Sequence, residues 1–178
     1  MTDLTAIKTQ ARKVAFARRK DAHAMHKPGA AGHLSEVLAG YRGVPLSGYM
    51  PIRTEIDPLP AMGEAAAHGP VGVPVIMAAG QPLRFSRWQP EAPLRDGPFG
   101  AQVTEVDDFF DPAILILPLV AFASQCGRWR YGGGFYDRSL QSMRGQRHTL
   151  HYGLAFVATA AQNIPSEPHA PPSKTRHT

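Results

Sequence analysis

Between residues 3 and 26 apolar side chains recur at helical spacing. Ile7, Ala11, Val14 and Arg18 share one face, and the stretch contains neither glycine nor proline. The pattern predicts a helix there, capped by Thr2 or Asp3 and stopped by Pro28-Gly29. A shorter helix is expected over 33–39, ahead of Gly40, and another over Leu59–Ala67, between Pro58 and Gly69. Phe135–Arg144 reads as a fourth helix, entered from a glycine run.

The remaining apolar runs read as strands. Val44–Tyr49 is short and ends at Met50-Pro51, and Val71–Ala78 is apolar throughout with a proline inside. Leu83–Trp88 alternates, which suits a strand with one wet face. Ala113–Leu117 is apolar at every position, as expected of a central parallel strand. Tyr152–Ala158 is the last strand, and Pro90–Gly100, rich in proline and glycine, reads as a loop. Buried strands separated by helices predict an α/β layer sandwich with a mainly parallel sheet, in which ligands bind at the carboxyl ends of strands. Residues 1–164 are expected to form one domain. Residues 165–178, rich in Pro, Ser and His, are expected to form a disordered tail.

Composition narrows the class. The chain has 178 residues, 43% of them hydrophobic and 19% charged, enough for a core and unlike a globally disordered chain. Its longest apolar run, Ala113–Ala123, is broken by Pro118 and too short to span a bilayer. No secretory signal pattern opens the sequence, and one cysteine, Cys126, excludes a disulfide framework or a Cys-rich zinc site. The histidines show no ligand spacing, so zinc is not expected. A cytoplasmic protein is the expectation.

The formal charge is +5, and the excess sits at the start: Lys8, Arg12, Lys13, Arg18, Arg19, Lys20 and Lys27 against Asp3 and Asp21. Such a segment is either a solvated helix face or the partner of an anion: nucleic acid, membrane surface or a phosphorylated small molecule. No nucleic-acid recognition motif accompanies it.

Arg128–Arg138, RWRYGGGFYDR, holds the densest candidate chemistry. Consecutive glycines let backbone amides approach a phosphate, and the following helix adds its positive end. Arg128, Arg130 and Arg138 add charge, Asp137 is an oxygen ligand of the type Mg²⁺ prefers, and Tyr131, Phe135 and Tyr136 offer faces for a flat ring. The spacing is neither a P-loop nor a Rossmann fingerprint, and a glycine-rich turn without a ligand is the competing reading. Glu55 and Asp57 lie two apart in GYMPIRTEIDPL, as a functional pair or as loop carboxylates. Trp88 is either a stacking platform or core.

Taken together the chain resembles the 5-formyltetrahydrofolate cyclo-ligase family from Lys8 to about His169. YGGGFYDR at Tyr131–Arg138 and GYMPIRTEIDPLP at Gly48–Pro60 are the most specific segments. GQPLRFSRWQP at Gly80–Pro90, GPFG at Gly97–Gly100, LPLVAF at Leu117–Phe122, GLAF at Gly153–Phe156 and EPH at Glu167–His169 follow in the family's order. The resemblance implies a three-layer α/β fold with a mainly parallel central sheet. It also implies ATP- and Mg²⁺-dependent conversion of 5-formyltetrahydrofolate to 5,10-methenyltetrahydrofolate through a phosphorylated formyl group, within one-carbon metabolism. By the same resemblance Lys8, Arg12, Arg128, Gly132, Gly133, Gly134, Phe135 and Tyr136 match nucleotide-binding positions. Tyr49, Met50, Glu55, Trp88, Tyr131 and Phe135 match folate-binding positions, and Asp137 matches a magnesium ligand. The implied partners are small molecules, ATP and a reduced formyl folate, with no nucleic acid or membrane, and a monomer is expected.

The chain departs from the family pattern at several points. Ala123 replaces an Asp, Cys126 a Gly, Trp129 a Leu and Arg130 a loop Gly, and beyond His169 no counterpart to a second magnesium-binding Asp appears. These departures motivate the alternative of a folate- and nucleotide-binding relative with impaired turnover.

Overall fold

Ile114–Pro118 is buried at all five positions and forms the middle of the molecule. Its side chains alternate between two cores, as a strand with both faces covered must arrange them. Ile114 and Ile116 pack with Leu34, Leu38, Ala61 and Met62, whereas Leu115 and Leu117 pack with Leu83, Phe85 and Leu140. Each of the four strand residues is at most 1% exposed, and such burial contributes about 2 kcal/mol per side chain.

The computed structural model describes residues 4–26, 32–123, 128–129, 133–146 and 148–161. Four α-helices are present among them: α1 (Leu4–Ala24), α2 (Gly32–Ala39), α3 (Leu59–Ala66) and α4 (Phe135–Arg144). The strands are β1 (Leu46–Ser47), β2 (Val71–Val75), β3 (Arg84–Arg87), β4 (Leu94–Asp96), β5 (Gln102–Thr104), β6 (Phe109–Phe110), β7 (Ile114–Pro118), β8 (Ala121–Ala123), β9 (Arg128–Trp129), β10 (Leu150–Leu154) and β11 (Ala160–Ala161). The main sheet runs β10-β7-β1-β2-β3-β6. Pairings β10–β7, β7–β1 and β1–β2 are parallel, and β2–β3 and β3–β6 are antiparallel. Helices α2 and α3 cover one face and α4 the other, which is the three-layer α/β arrangement expected.

The chain enters this sheet at β1, builds outward through β2, β3 and β6, then returns to the other side of β1 as β7 and β10. Connections therefore leave the carboxyl ends of neighbouring strands in opposite directions. That divergence opens a crevice at the carboxyl ends of β7, β1 and β2.

Several expectations are corrected. The strand expected over 44–49 reduces to Leu46–Ser47. Gly48 still donates its amide to the Gly72 carbonyl at 3.1 Å, and the Met62 side chain fills the space where its Cβ would stand. The strand expected over 152–158 lies at Leu150–Leu154, and Val157–Thr159 is a single 3₁₀ turn closed by the Thr159 amide and hydroxyl on the Phe156 carbonyl. The stretch read as a loop over 90–100 contains β4, which pairs antiparallel with β5 around a tip at Pro98–Gly100. In β3 the expected alternation fails: Phe85 and Ser86 are both buried. The Ser86 hydroxyl accepts from Thr104 Oγ1 at 2.9 Å and from the Asp108 amide at 3.0 Å, and donates to the Val106 carbonyl at 3.4 Å. Ser86 is thus a buried polar anchor for the β4–β5 hairpin.

Helix α1 also presents a different face from the one its apolar residues suggested. Ile7 and Val14 are about two-fifths exposed, while Ala15 and Arg19 are buried, with Ala11 and Phe16 packed beside Val120 and Ala121. The helix turns inward the side that carries a cation with a buried partner. No helix among the described residues is long and apolar enough to cross a membrane.

Candidate functional site

At the switch point lies a cleft of about 320 Å³. Its floor is made by residues at the ends of the parallel strands: Tyr49 and Met50 beyond β1, Pro74 and Ile76 at the end of β2, and Pro118 of β7. Gly133 to Asp137 form one wall at the start of α4. Arg12 comes from α1, and Phe99 and Gln102 come from the β4–β5 hairpin.

Glu55 is presented by a self-fastened turn. Its amide donates to the Ile52 carbonyl at 3.2 Å, and its Oε2 accepts the Ile52 amide at 2.9 Å. Arg53, with φ of 53°, takes the left-handed conformation that closes this turn. Tyr49 ties off the other end of the loop, its hydroxyl donating to the Ile56 carbonyl at 2.7 Å. Glu55 is only 5% exposed, yet it lines the cleft. Burial pushes its carboxyl above the usual range, while the Ile52 amide and the Arg19 guanidinium pull it back. Burial also raises the Tyr49 phenol well above its ordinary value, helped by the Glu55 charge, so this hydroxyl stays a donor. Asp57, by contrast, is exposed, and its Oδ1 accepts the Leu59 amide at 2.9 Å at the entry to α3.

The glycine segment has the conformation its composition suggests. Gly133 (φ +97°) and Gly134 (φ +65°) are both left-handed, and a Cβ on Gly133 would stand 2.8 Å from the Phe135 ring. Arg138 Nη2 donates to the Gly133 carbonyl at 2.5 Å, with its guanidinium 5.1 Å from the Phe135 ring centre. The loop is thereby pinned from inside its own helix. Ser139 Oγ accepts the Leu83 amide at 2.8 Å and fastens α4 to the start of β3.

Of the residues proposed from sequence, Arg12, Tyr49, Met50, Glu55, Gly133, Gly134, Phe135, Tyr136 and Asp137 all line this one cleft. Lys8, one turn before Arg12 on α1, does not. Trp88 is corrected: it is 5% exposed and packs in the core cluster of Leu46, Ile56 and Val71, and it is not among the residues that line the cleft. Tyr131 and Gly132 lie outside the described residues, as do Cys126 and Arg130. Arg128 is described only as backbone in β9. Residues 162–178 lie outside them too. Two participants escaped the sequence reading. Phe99 is 63% exposed and meets Phe135 with ring centres 6.2 Å apart. Arg19 is 2% exposed beside Glu55. The Gly97–Gly100 bracket was the available signal for Phe99. Arg19 had none, because its partner lies far along the chain.

Among the described residues no group of three or more His, Cys, Asp or Glu side chains gathers as a metal cage. A single carboxylate in a cleft fits an ion such as Mg²⁺, which keeps waters and takes its other oxygens from substrate phosphates. Asp137, in the first turn of α4, is a carboxylate of that kind.

Residues 5–173 match the 5-formyltetrahydrofolate cyclo-ligase family. A 5-formyltetrahydrofolate cyclo-ligase from Haemophilus influenzae is 36% identical over 90 residues, 48% of each chain, so the match spans about half the length of that curated relative. The solution structure of Aquifex aeolicus 5,10-methenyltetrahydrofolate synthetase superposes with a TM-score of 0.70 at 22% identity, covering 93% of this chain and 86% of that one. The Mycoplasma pneumoniae 5,10-methenyltetrahydrofolate synthetase gives 0.65 at 17% identity, covering 90% and 92%. At these identities the two structures speak for the fold alone.

Proposed function

The chain belongs to the 5-formyltetrahydrofolate cyclo-ligase family, and on that premise we propose that it closes 5-formyltetrahydrofolate to 5,10-methenyltetrahydrofolate at the expense of ATP. The observation that carries the reading is the convergence of Arg12, Glu55 and the Gly133–Asp137 segment on one cleft. A cation, a buried carboxylate and a left-handed glycine pair leading into a helix are the groups that a triphosphate and a pterin require.

Arg12 and the backbone of Gly133 and Gly134 hold the nucleotide, neutralising phosphate charge and leaving room for close approach. Glu55 accepts from the ring N–H donors of the pterin, and Tyr49 and Met50 flank that ring. Phe135 and Tyr136 offer faces between the two substrates. The γ-phosphoryl passes to the formyl oxygen as ADP leaves, N10 attacks the activated formyl carbon and gives up its proton to solvent, and the C–O bond breaks with release of phosphate. Positioning and electrostatics supply most of what such a transfer needs. When bound, Mg²⁺ on Asp137 supplies charge neutralisation of the phosphates. Apolar walls from Ile76, Leu83 and Phe99 keep water from the activated formyl group.

The test is spectrophotometric. Methenylfolate absorbance should rise only when ATP and Mg²⁺ are both present, and Asp137→Asn should weaken the magnesium-dependent rate more than folate binding. Absence of turnover by folded protein at high enzyme concentration refutes the reading. Folate and ATP binding without turnover, by calorimetry, identifies the impaired relative that Arg130 and the missing carboxylate suggest.

A further inference from the structure

Helix α1 contributes twice to this region. Arg12 lines the cleft, and Arg19, about two helical turns later, is inserted beneath it. A guanidinium with 2% exposure is strongly disfavoured unless partnered. Its Nε donates to Thr54 Oγ1 at 3.0 Å, its Nη1 stands 3.9 Å from Glu55 Oε1, and its carbon lies 5.1 Å from the Phe16 ring centre. The 3.9 Å separation exceeds hydrogen-bond range, so Arg19 acts on Glu55 through charge rather than by occupying the oxygen. The contacts to Thr54 and Glu55 fall on the Ile52–Glu55 turn, more than thirty residues along the chain from Arg19.

We propose that Arg19 is a positioning residue of the cleft, tying α1 to the turn that presents Glu55 and keeping that carboxylate an ionised, acceptor-only group toward a bound ligand. This rests on the proposed role of Glu55 in holding the pterin. Burial raises the carboxyl's pKa on balance, and the Ile52 amide and then the Arg19 charge oppose it, in keeping with the geometry. Among the described residues, the other charged or titratable groups of its segment and of the cleft lining are Tyr49, Arg53 and Asp57 on its own segment, Tyr136 and Asp137 on α4, and Arg12 on α1. One helix thus serves both substrates: its cleft-lining arginine faces the nucleotide, and its buried arginine sets the charge of the folate carboxylate.

The experiment follows 5-formyltetrahydrofolate binding by calorimetry over roughly pH 5 to 8 in the parent, Arg19→Met, Arg19→Lys and Glu55→Gln. An ionised acceptor loses affinity as pH falls through its pKa. Removing an adjacent cation raises that pKa, so in Arg19→Met the acid limb should move upward by about one pH unit. Below it, affinity should be about tenfold weaker than in the parent. Arg19→Lys should return the limb toward its parental position, which a purely structural role for the side chain would not do. An unmoved limb in Arg19→Met, with the limb abolished in Glu55→Gln, overturns the proposal. Parental binding by Glu55→Gln instead overturns the pterin role of Glu55. The Glu55 carboxyl carbon is also titrated by NMR in the ligand-free parent protein, which needs no variant to fold. Ionisation complete by neutral pH supports the inference, and a carboxyl still protonated there overturns it.

Discussion

Replacing Tyr49 by Phe removes a single oxygen from the loop that presents Glu55. The ring is 2% exposed and keeps its place, so the apolar part of its burial cancels between parent and variant. What changes is the 2.7 Å bond to the Ile56 carbonyl. A neutral hydrogen bond contributes about 1 kcal/mol net, and leaving its buried acceptor unpaired brings the total to about 2 kcal/mol. For a chain of 178 residues each kilocalorie moves the melting temperature by about 2–4 °C, so a fall of ~4–8 °C is expected in calorimetric melts. The pH dependence supplies an internal control. The folded phenol holds its proton more tightly than the unfolded one, because burial and the Glu55 charge raise its pKa above 10.0. Its contribution is therefore whole below about pH 10 and declines as pH rises toward the folded pKa. The phenylalanine variant lacks this dependence, so the two stabilities should converge in alkaline urea titrations. An unchanged melting temperature with no alkaline convergence would refute the reasoning. It would mean that the loop is held without this bond.

Phe99→Gly should separate stability from binding. Phe99 holds φ of 60° with its side chain 63% exposed, so glycine relieves backbone strain of about 1 kcal/mol while removing an aromatic wall of the cleft. Melts should show equal or higher stability, and calorimetry weaker ligand binding. Loss of stability with intact binding would reverse that assignment. Gly72→Ala should be severe. A Cβ there would lie 2.4 Å from the Phe110 ring and 2.7 Å from the Ser86 carbonyl, a backbone atom in the paired strand. The urea midpoint should fall by the equivalent of about 3 kcal/mol, and a near-parental midpoint would show that β2 and β3 can separate freely.

Elements with strong local signals are legible in the sequence. Helix α4 follows a glycine run and occupies the residues its pattern indicated, and β7 differs by one residue, because an unbroken apolar run has one place to go in a layered fold. The cleft was legible through the residue types that converge on it. What escaped depends on partners distant in sequence. Ser86 reads as the wet side of a strand, yet its hydroxyl meets Thr104 and the Asp108 amide, so the polar position is buried. The β4–β5 hairpin hides among prolines and glycines because its pairing, Leu94 with Thr104 and Asp96 with Gln102, rests on backbone groups that leave little side-chain pattern. Arg19 reads as one of several cations in a basic helix until Glu55 is brought beside it. Trp88 at a strand end reads as core more readily than as a stacking platform, and packing chose the core.

The return of the chain to β1 from both sides constrains how the protein is made. Ile114–Pro118, apolar at every position, draws its edge partner from Leu150–Leu154. During synthesis that strand therefore waits, sticky and half-paired, for a long stretch of later sequence to emerge. Ribosomes that stall between these two segments would release chains prone to clump, and chaperone demand should peak in that interval of translation.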